Sequence, residues 1–156
     1  MKNKLSFKIL ISLVVLLVGL VGIYLLSPNN NAKSDGIIHL KVLDINEEVV
    51  FNNELSFNTG DSFYDILSNN FTIICADGSY NPDPTCSYEF NFITYKERIV
   101  LGIKNDDFEI ISNWQNSFLA FYQEIDGNLV LTTKGVMQME FNNLDGFVIK
   151  HENVRG

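Results

Sequence analysis

The N-terminal part of the chain contains a long apolar run between polar residues. Residues 9–26 are uncharged and apolar except for Ser12 and two glycines, and three lysines precede them. A transmembrane helix needs about 20 mostly apolar residues, whereas the apolar core of a cleaved signal peptide usually has about 7–15. Because the lysines lie before the run, the pattern predicts a cytoplasmic N-terminus and an exported C-terminal part.

The sequence therefore predicts a single-pass protein of the cell membrane with four segments. These are a basic cytoplasmic N-terminus at 1–8, a transmembrane signal-anchor at 9–26, a polar linker at 27–36 and an extracytoplasmic domain at 37–156. The alternative is a cleaved signal and a secreted product. The anchor is favoured because no small-residue cleavage site follows the run directly, and a lipoprotein signal would need a cysteine there.

Apolar and polar positions alternate along most of the exported part, and this period of two predicts strands. Residues 38–42 alternate in this way, and residues 49–57 continue the pattern after a turn near Asn46-Glu47. Further strands are predicted at 71–75, 88–92, 99–103, 117–122, 129–132, 136–141 and 147–151, with hairpin turns at Asp126-Gly127 and Asp145-Gly146.

One segment changes to a helical period. Phe63, Ile66 and Leu67 are spaced i, i+3, i+4, which places them on one face of a helix. Ser62 and Asp65 have the spacing of a capping box at its start. The order of elements predicts an α+β domain of β-grasp-like type, in which one short helix lies on a mixed sheet behind the N-terminal transmembrane helix.

The net charge of the exported part limits the classes of partner that it can bind. Of the 11 Lys and Arg in the chain, four precede residue 35, so seven remain beside all 19 Asp and Glu, a net charge of −12 for residues 35–156. A domain this acidic is repelled by nucleic acid. We therefore predict no nucleic-acid partner.

Two stretches resemble the transcobalamin-like C-terminal domain family. Residues 60–67 (GDSFYDIL) are similar to its G-x-[ST]-hydrophobic-x-[DE]-x-L helix start, and Asn113-Trp114 through Leu144-Asp145-Gly146 is similar to its later order of Trp, strand, turn and final strand. Asp126-Gly127-Asn128 replaces the family's Asn-Gly turn, and Phe147 replaces an Asp. The resemblance covers about residues 37–152. It implies a small extracytoplasmic domain of Gram-positive-type bacteria, mostly without assigned activity; in animal transcobalamins the equivalent domain closes over a corrinoid.

The two cysteines bracket a loop rich in Pro and Asp. Because an exported domain meets oxidising conditions, Cys75 and Cys86 are predicted to form a disulfide, and two free thiols are the alternative. The oxygens of Asp77, Asn81 and Asp83 in this loop are calcium ligands by chemistry, but their spacing is not that of an EF-hand. A rigid loop without an ion is the favoured interpretation.

Aromatic residues near the C-terminal third provide the candidate binding surface. In the family order Trp114 precedes a strand, so Phe118, Ala120 and Tyr122 share one sheet face. We predict Trp114, Phe118 and Tyr122 as a ligand or partner surface, with packing in the core as the alternative. The only histidines, His39 and His151, lack the companions that a zinc site or a cysteine nucleophile needs.

These observations favour a membrane-anchored extracytoplasmic binding module without catalytic activity. Its predicted partners are the membrane, through residues 9–26, and a cell-surface protein or small ligand. No catalytic, metal or cofactor residues are predicted. The alternative is a receptor or uptake accessory domain for a corrinoid-like or other planar molecule. A thiol- or metal-dependent hydrolase is a third hypothesis.

Overall fold

The strands form a five-stranded sheet, a four-stranded sheet and a two-stranded ribbon. A computed structural model describes residues 12–19, 31–93 and 95–154. Helix α1 covers residues 12–19 and helix α2 is Phe63–Asn70. The strands are β1 (Gly36–Leu43), β2 (Val49–Phe57), β3 (Thr72–Ala76), β4 (Pro82–Asp83), β5 (Phe90–Asn91), β6 (Lys96–Glu97), β7 (Val100–Lys104), β8 (Glu109–Ile111), β9 (Ser117–Ile125), β10 (Asn128–Leu131) and β11 (Gly146–Asn153).

The larger sheet is mixed. Its order is β10-β9-β11-β1-β2, with β1 parallel to β11 and the other pairs antiparallel. Leu40 lies opposite Phe147 and Val42 opposite Ile149, and all four side chains are buried. Because side chains alternate along a strand, these residues mark the face that packs against the core, and their neighbours in sequence mark the opposite face.

Helix α2 begins as its sequence predicts. The Ser62 hydroxyl accepts a hydrogen bond from the Asp65 N–H, and the Asp65 carboxylate accepts one from the Ser62 N–H, so the predicted capping box is confirmed. Phe63, Ile66 and Leu67 are fully buried, as the helical period predicts. The helix therefore buries one face in the core of the larger sheet.

The smaller sheet, of order β4-β3-β7-β8, is buried on both faces at its centre. Ile73 and Cys75 of β3 belong to the main core, whereas Ile74 and Ala76 pack in a second cluster with Leu101. Continuous apolar runs of this kind are typical of strands covered on both sides. These strands therefore belong to a second layer and do not extend the first sheet.

The predicted fold class is wrong. Among the described residues, 44% lie in strands and 12% in two helices, so this part of the chain is mostly β and is not an α+β domain with one helix on a single mixed sheet. The physical reason is the burial of β3 and β7 on both faces, which separates the strands into two sheets. The predicted strand at 136–141 is also wrong, because these residues form a turn and an irregular segment that buries Val136, Met139 and Phe141.

The predicted N-terminal transmembrane helix is not shown. Within the described residues, no helix has both the length and the apolar character needed to cross a membrane. Of the predicted span, residues 9–11 and 20–26 lie outside the described part, as do the predicted cytoplasmic residues 1–8. Residues 12–19 are helical, and their side chains are exposed.

The residues just before β1, predicted as linker, contact the turn that follows β2. The Ala32 N–H donates to the Asp61 carbonyl (2.8 Å), and the Gly60 N–H donates to the Ala32 carbonyl (2.9 Å). The Asp35 carboxylate accepts hydrogen bonds from the N–H and hydroxyl of Thr59. Residues 31–35 of the predicted linker therefore pack against the domain, and residues 27–30 lie outside the described residues.

Candidate functional site

The five-stranded sheet presents its second face to solvent, and we call this the outer face. Its register places Tyr122 of β9 beside Val148 of β11 and Leu131 of β10. Alternation along each strand then assigns the remaining members. The outer face includes His39, Lys41, Phe118, Ala120, Tyr122, Glu124, Leu129, Leu131, Val148, Lys150 and Glu152.

Tyr122 is held in place on this face by polar contacts. Its hydroxyl donates a hydrogen bond to Oε1 of Glu152 at 2.7 Å, and the ammonium of Lys150 lies 5.2 Å from the centre of its ring. A cation over an aromatic face is attracted by the ring's quadrupole. Because both partners lie on the neighbouring strand β11, the ring lies along the sheet and remains half-buried.

The structure brings two of the three predicted aromatic residues together. Phe118 and Tyr122 are both half-buried on the outer face. Trp114 lies in the turn before β9, where Asn113 Oδ1 accepts hydrogen bonds from the N–H groups of Asn116 (2.8 Å) and Gln115 (3.2 Å). Trp114 has φ +58° and is 47% exposed.

The backbone conformation of Trp114 is unusual for a bulky side chain. A non-glycine residue in the left-handed region costs roughly 1–3 kcal/mol and persists only where its surroundings impose it. Here the Asn113 turn and the hydrogen bond from the Trp114 N–H to the Ser117 carbonyl (3.0 Å) impose it. The result is a partly exposed indole just before the start of β9.

Strand β10 adds aliphatic residues that sequence analysis did not include in the site. Leu129 and Leu131 are 44% and 53% exposed on the outer face, and Leu131 is the register partner of Tyr122. The sequence predicted this strand, yet only the sheet order shows that it lies at an edge. Phe118, Tyr122, Leu129 and Leu131 therefore lie on the same outer face, and we call these four residues the apolar patch.

A cleft of about 360 Å³ opens beside Tyr122 at the end of β1 and β11. Its charged groups are mostly acidic, because Asp44, Glu47 and Glu152 outnumber Lys150. The N–H groups of Glu48 and Asn46 donate to the Asp44 carboxylate and lower its pKa. The lining also includes Leu43, Ile45, His151 and Asn153.

The two histidines lie on opposite faces of the larger sheet. His39 is exposed on the outer face, with Nδ1 3.7 Å from Glu54. His151 follows Phe147 and Ile149 on the inner side of β11, where burial lowers its pKa and Asp44 opposes that effect. The histidines therefore do not form a joint site.

The predicted disulfide is confirmed. Cys75 and Cys86 are bonded, and both are buried. In the loop between them, the Asp83 carboxylate accepts hydrogen bonds from the hydroxyl and N–H of Thr85 and from Ser87, which hold its pKa at about 2. The Asp77 carboxylate similarly accepts from Ser79 and Asn81, so both acids organise turns. Over residues 31–93 and 95–154, no group of three His, Cys, Asp or Glu is arranged to hold a metal ion.

Disulfides persist in oxidising compartments and are rare in the cytosol. The Cys75–Cys86 bond therefore indicates an oxidising, extracellular type of location for the domain.

No known family matches this chain. No curated protein gives a significant match either. The resemblance to the transcobalamin-like C-terminal domain family stays a prediction.

Glu97 is a buried acid that the sequence pattern does not mark. Glu97 of β6 is only 5% exposed, and its Oε1 accepts hydrogen bonds from the N–H groups of Met137 (3.0 Å) and Arg98 (3.1 Å). A Cβ at Gly135 would overlap its carboxyl group, so the 135–137 segment fits closely over it. Burial raises the pKa of Glu97, while these two hydrogen bonds and the charge of Arg98 act against that rise.

We expect Glu97→Gln to raise the midpoint of thermal unfolding at pH 7. The folded-state pKa of Glu97 is raised, so its contribution to stability is full below the unfolded pKa and is lost as pH rises through the folded value. Gln keeps an oxygen for the Met137 N–H without a buried charge, and its advantage should vanish in acid. Glu109→Gln, at an exposed residue, is the control. A Glu97→Gln variant that is less stable than wild type at pH 7 would contradict this.

Proposed function

We propose that this chain is an extracytoplasmic interaction module that binds a partner protein through its outer face and has no catalytic activity. The observation that carries the proposal is the apolar patch. Two exposed leucines lie on the same sheet face as the half-buried Phe118 and Tyr122, and Leu131 is the register partner of Tyr122. Exposed apolar residues grouped on one face are typical of protein interaction sites, and aromatic residues are enriched among the side chains that dominate binding.

The neighbourhood of the patch supports the same proposal. Trp114 is exposed on a strained backbone in the turn before β9, four residues before Phe118, and strained residues are concentrated where function requires them. Lys150 and Glu152 give the patch a polar border and fix the ring of Tyr122 before any partner arrives. A pre-organised aromatic side chain loses little conformational freedom on binding.

The chemistry of the domain supports binding over catalysis. Both cysteines are oxidised, which removes them as thiolate nucleophiles. His39 and His151 face opposite sides of the sheet and so cannot act on one substrate. Export is supported by the disulfide and by the basic and apolar N-terminal sequence. Membrane attachment through residues 9–26 stays a prediction, which fractionation of cells into membrane, wall and medium would test.

Site-specific cross-linking on intact source cells tests the interaction module. We place a photo-cross-linking side chain at Leu129 or Leu131 of the patch and, as control, at Ile111, an exposed apolar residue of the other sheet. The two patch positions should yield the same adduct and Ile111 should not. Tyr122→Ala should lower the yield about tenfold or more, because truncating a dominant aromatic contact costs about 2 kcal/mol or more. Equal adducts from Ile111 would refute the proposal.

The cleft beside Tyr122 favours a second candidate function, the binding of a small cationic molecule. Its volume of about 360 Å³ lies at the small end of ligand sites, and its acids outnumber its single lysine. Thermal unfolding in the presence of small organic amines, with a corrinoid as the planar comparison, tests it. An upshift with amines that Glu152→Gln removes supports this candidate, whereas no upshift with any amine eliminates it.

A further inference from the structure

Strand β10 has one side of its backbone unpaired. The Thr132 N–H donates to the Phe121 carbonyl (2.8 Å), which fixes the hydrogen-bonded pairs of the antiparallel β9–β10 ladder at every second residue. Leu129 and Leu131 therefore direct their N–H and C=O groups away from β9. Since β10 ends the strand order, these groups meet no other strand in the described part of the chain.

This edge is short but carries no charge, proline or bulge that would prevent pairing. Natural edge strands carry charges, prolines or bulges that prevent pairing with another chain. β10 is Asn128-Leu-Val-Leu131, all four residues are exposed, and none of them is charged. The opposite edge of the same sheet, β2, exposes Asn52, Asn53 and Glu54. An exposed charged residue is thus present on one edge strand and absent from the other.

We propose that β10 binds an extended segment of the partner by strand addition, so that the partner becomes a sixth strand of the sheet. This inference rests on the proposed function and specifies how the partner is held. An extended chain can replace water at the outward N–H and C=O groups of Leu129 and Leu131 together, through ladder hydrogen bonds. On the outer face its alternate side chains would continue the apolar patch, so these positions should be apolar.

A cavity beside the inner side of β10 provides a place for another side chain of the added strand. It measures about 220 Å³ and lies between β10 and the segment that follows it. Lys134 and Glu140 form an ion pair at 2.6 Å within its lining. The other residues of the lining are Gln123, Val130, Leu131, Thr132, Thr133 and Met139. Such pockets beside a paired edge select side chains at alternate positions.

Charge determines the remaining chemistry of the partner segment. Glu124 and Asp126 lie next to the start of β10, and no cation among residues 31–93 and 95–154 forms an ion pair with either. The net charge of −12 on residues 35–156 opposes the pairing of β10 with a second copy of this chain. The occupant is therefore a basic, extended segment with apolar residues at alternate positions.

Fluorescence anisotropy with synthetic peptides tests this directly. The probe is an eight-residue labelled peptide that alternates Val and Lys, and its partner peptide has Glu in place of Lys. We expect the Lys peptide to bind at least tenfold more tightly. N-methylation of its four central amides should weaken binding at least tenfold, because both edges of the peptide are then blocked. A control peptide carries its extra methyl groups on side chains, with Ile in place of Val, and should bind as well as the parent.

A protein variant complements the peptides. Leu131→Pro removes an outward N–H without a ladder bond to β9, since Pro is tolerated at an exposed edge. We expect it to lose peptide binding at least tenfold, whereas Leu131→Thr, which retains the N–H, should lose less. Thermal unfolding of each variant shows whether the fold is kept. If a variant does not fold, the N-methylated peptides still test the edge on the wild-type protein.

The outcomes separate this inference from the interaction module itself. Undiminished binding of the N-methylated peptide, with patch cross-links still present, overturns strand addition and leaves the module. Equal binding of the Lys and Glu peptides overturns the basic partner, as does dimerisation of the chain through β10 in light scattering. Absence of patch cross-links, with tight and methylation-sensitive peptide binding, overturns the outer-face module but keeps the edge.

Discussion

Phe63→Ala should lower the free energy of unfolding by about 3–5 kcal/mol, the range for removing a buried aromatic side chain. Phe63 is fully buried at the first position of α2, and its ring centre lies 4.7 Å from that of Phe147 and 6.1 Å from that of Phe141. The ring therefore joins the helix to β11 and to the irregular segment before it. Truncation leaves a cavity where three elements meet, and the site cannot collapse without moving all of them.

Chemical denaturation of the full chain in a mild detergent measures this loss. The matched control is Phe92→Ala, because Phe92 is 49% exposed and stacks only on Tyr95 among the ring contacts described. Its removal should cost less than about 1 kcal/mol, as is usual at exposed positions. A loss below about 1.5 kcal/mol at Phe63 would show that α2 is not anchored as the structure indicates.

Local patterns predicted the elements whose signals lie close together in sequence. The β1–β2 hairpin, α2 with its Ser62–Asp65 capping box and the Asp126-Gly127 turn all depend on contacts between residues a few positions apart. The Cys75–Cys86 bond belongs to the same class, since its cysteines are 11 residues apart. In each case the chemistry that forms the feature is visible within one short window.

Pairing between residues far apart in sequence determines the features of the fold that local patterns do not predict. Alternation marks β3 and β7 as strands but does not tell which sheet receives them, and their burial on both faces is visible only after folding. The apolar spacing of Val136, Met139 and Phe141 resembles a strand, yet the Glu97 carboxylate receives the Met137 N–H in place of a neighbouring strand. A buried acid 40 residues away leaves no local signal.

The candidate site likewise has one part that local patterns predict and one part that they do not. Period two correctly places Phe118 and Tyr122 on one face, because alternation is a local property of β9. Two further properties depend on the order of five strands drawn from residues 36–153. One is that this face is exposed to solvent, and the other is that β10 is the edge strand beside it. The edge strand β10 is therefore the part of the site that cannot be predicted from local sequence patterns.

Loss of the disulfide should lower the free energy of unfolding by about 3 kcal/mol, because the closed loop of this length restricts the unfolded chain by roughly that amount. Cys75 is fully buried in β3, where it pairs with Asp83 of β4 and Val100 of β7, and Cys86 is nearly so. The bond therefore attaches a polar turn to the centre of the smaller sheet. Cys75→Ala/Cys86→Ala, measured by denaturation without reductant, gives the loss.

Wild type with added reductant is the matched comparison, and hydrogen exchange locates the effect. Exchange should rise first in residues 76–87, β4 and the end of β3, since these elements are attached through the bond. The outer face and β10 belong to the other sheet, so the double variant should bind the Lys peptide as wild type does while it remains folded. Equal stability of the variant and the wild type would show that the disulfide does not stabilise the domain. Loss of peptide binding in a folded variant would show that a change in the smaller sheet also alters the larger sheet.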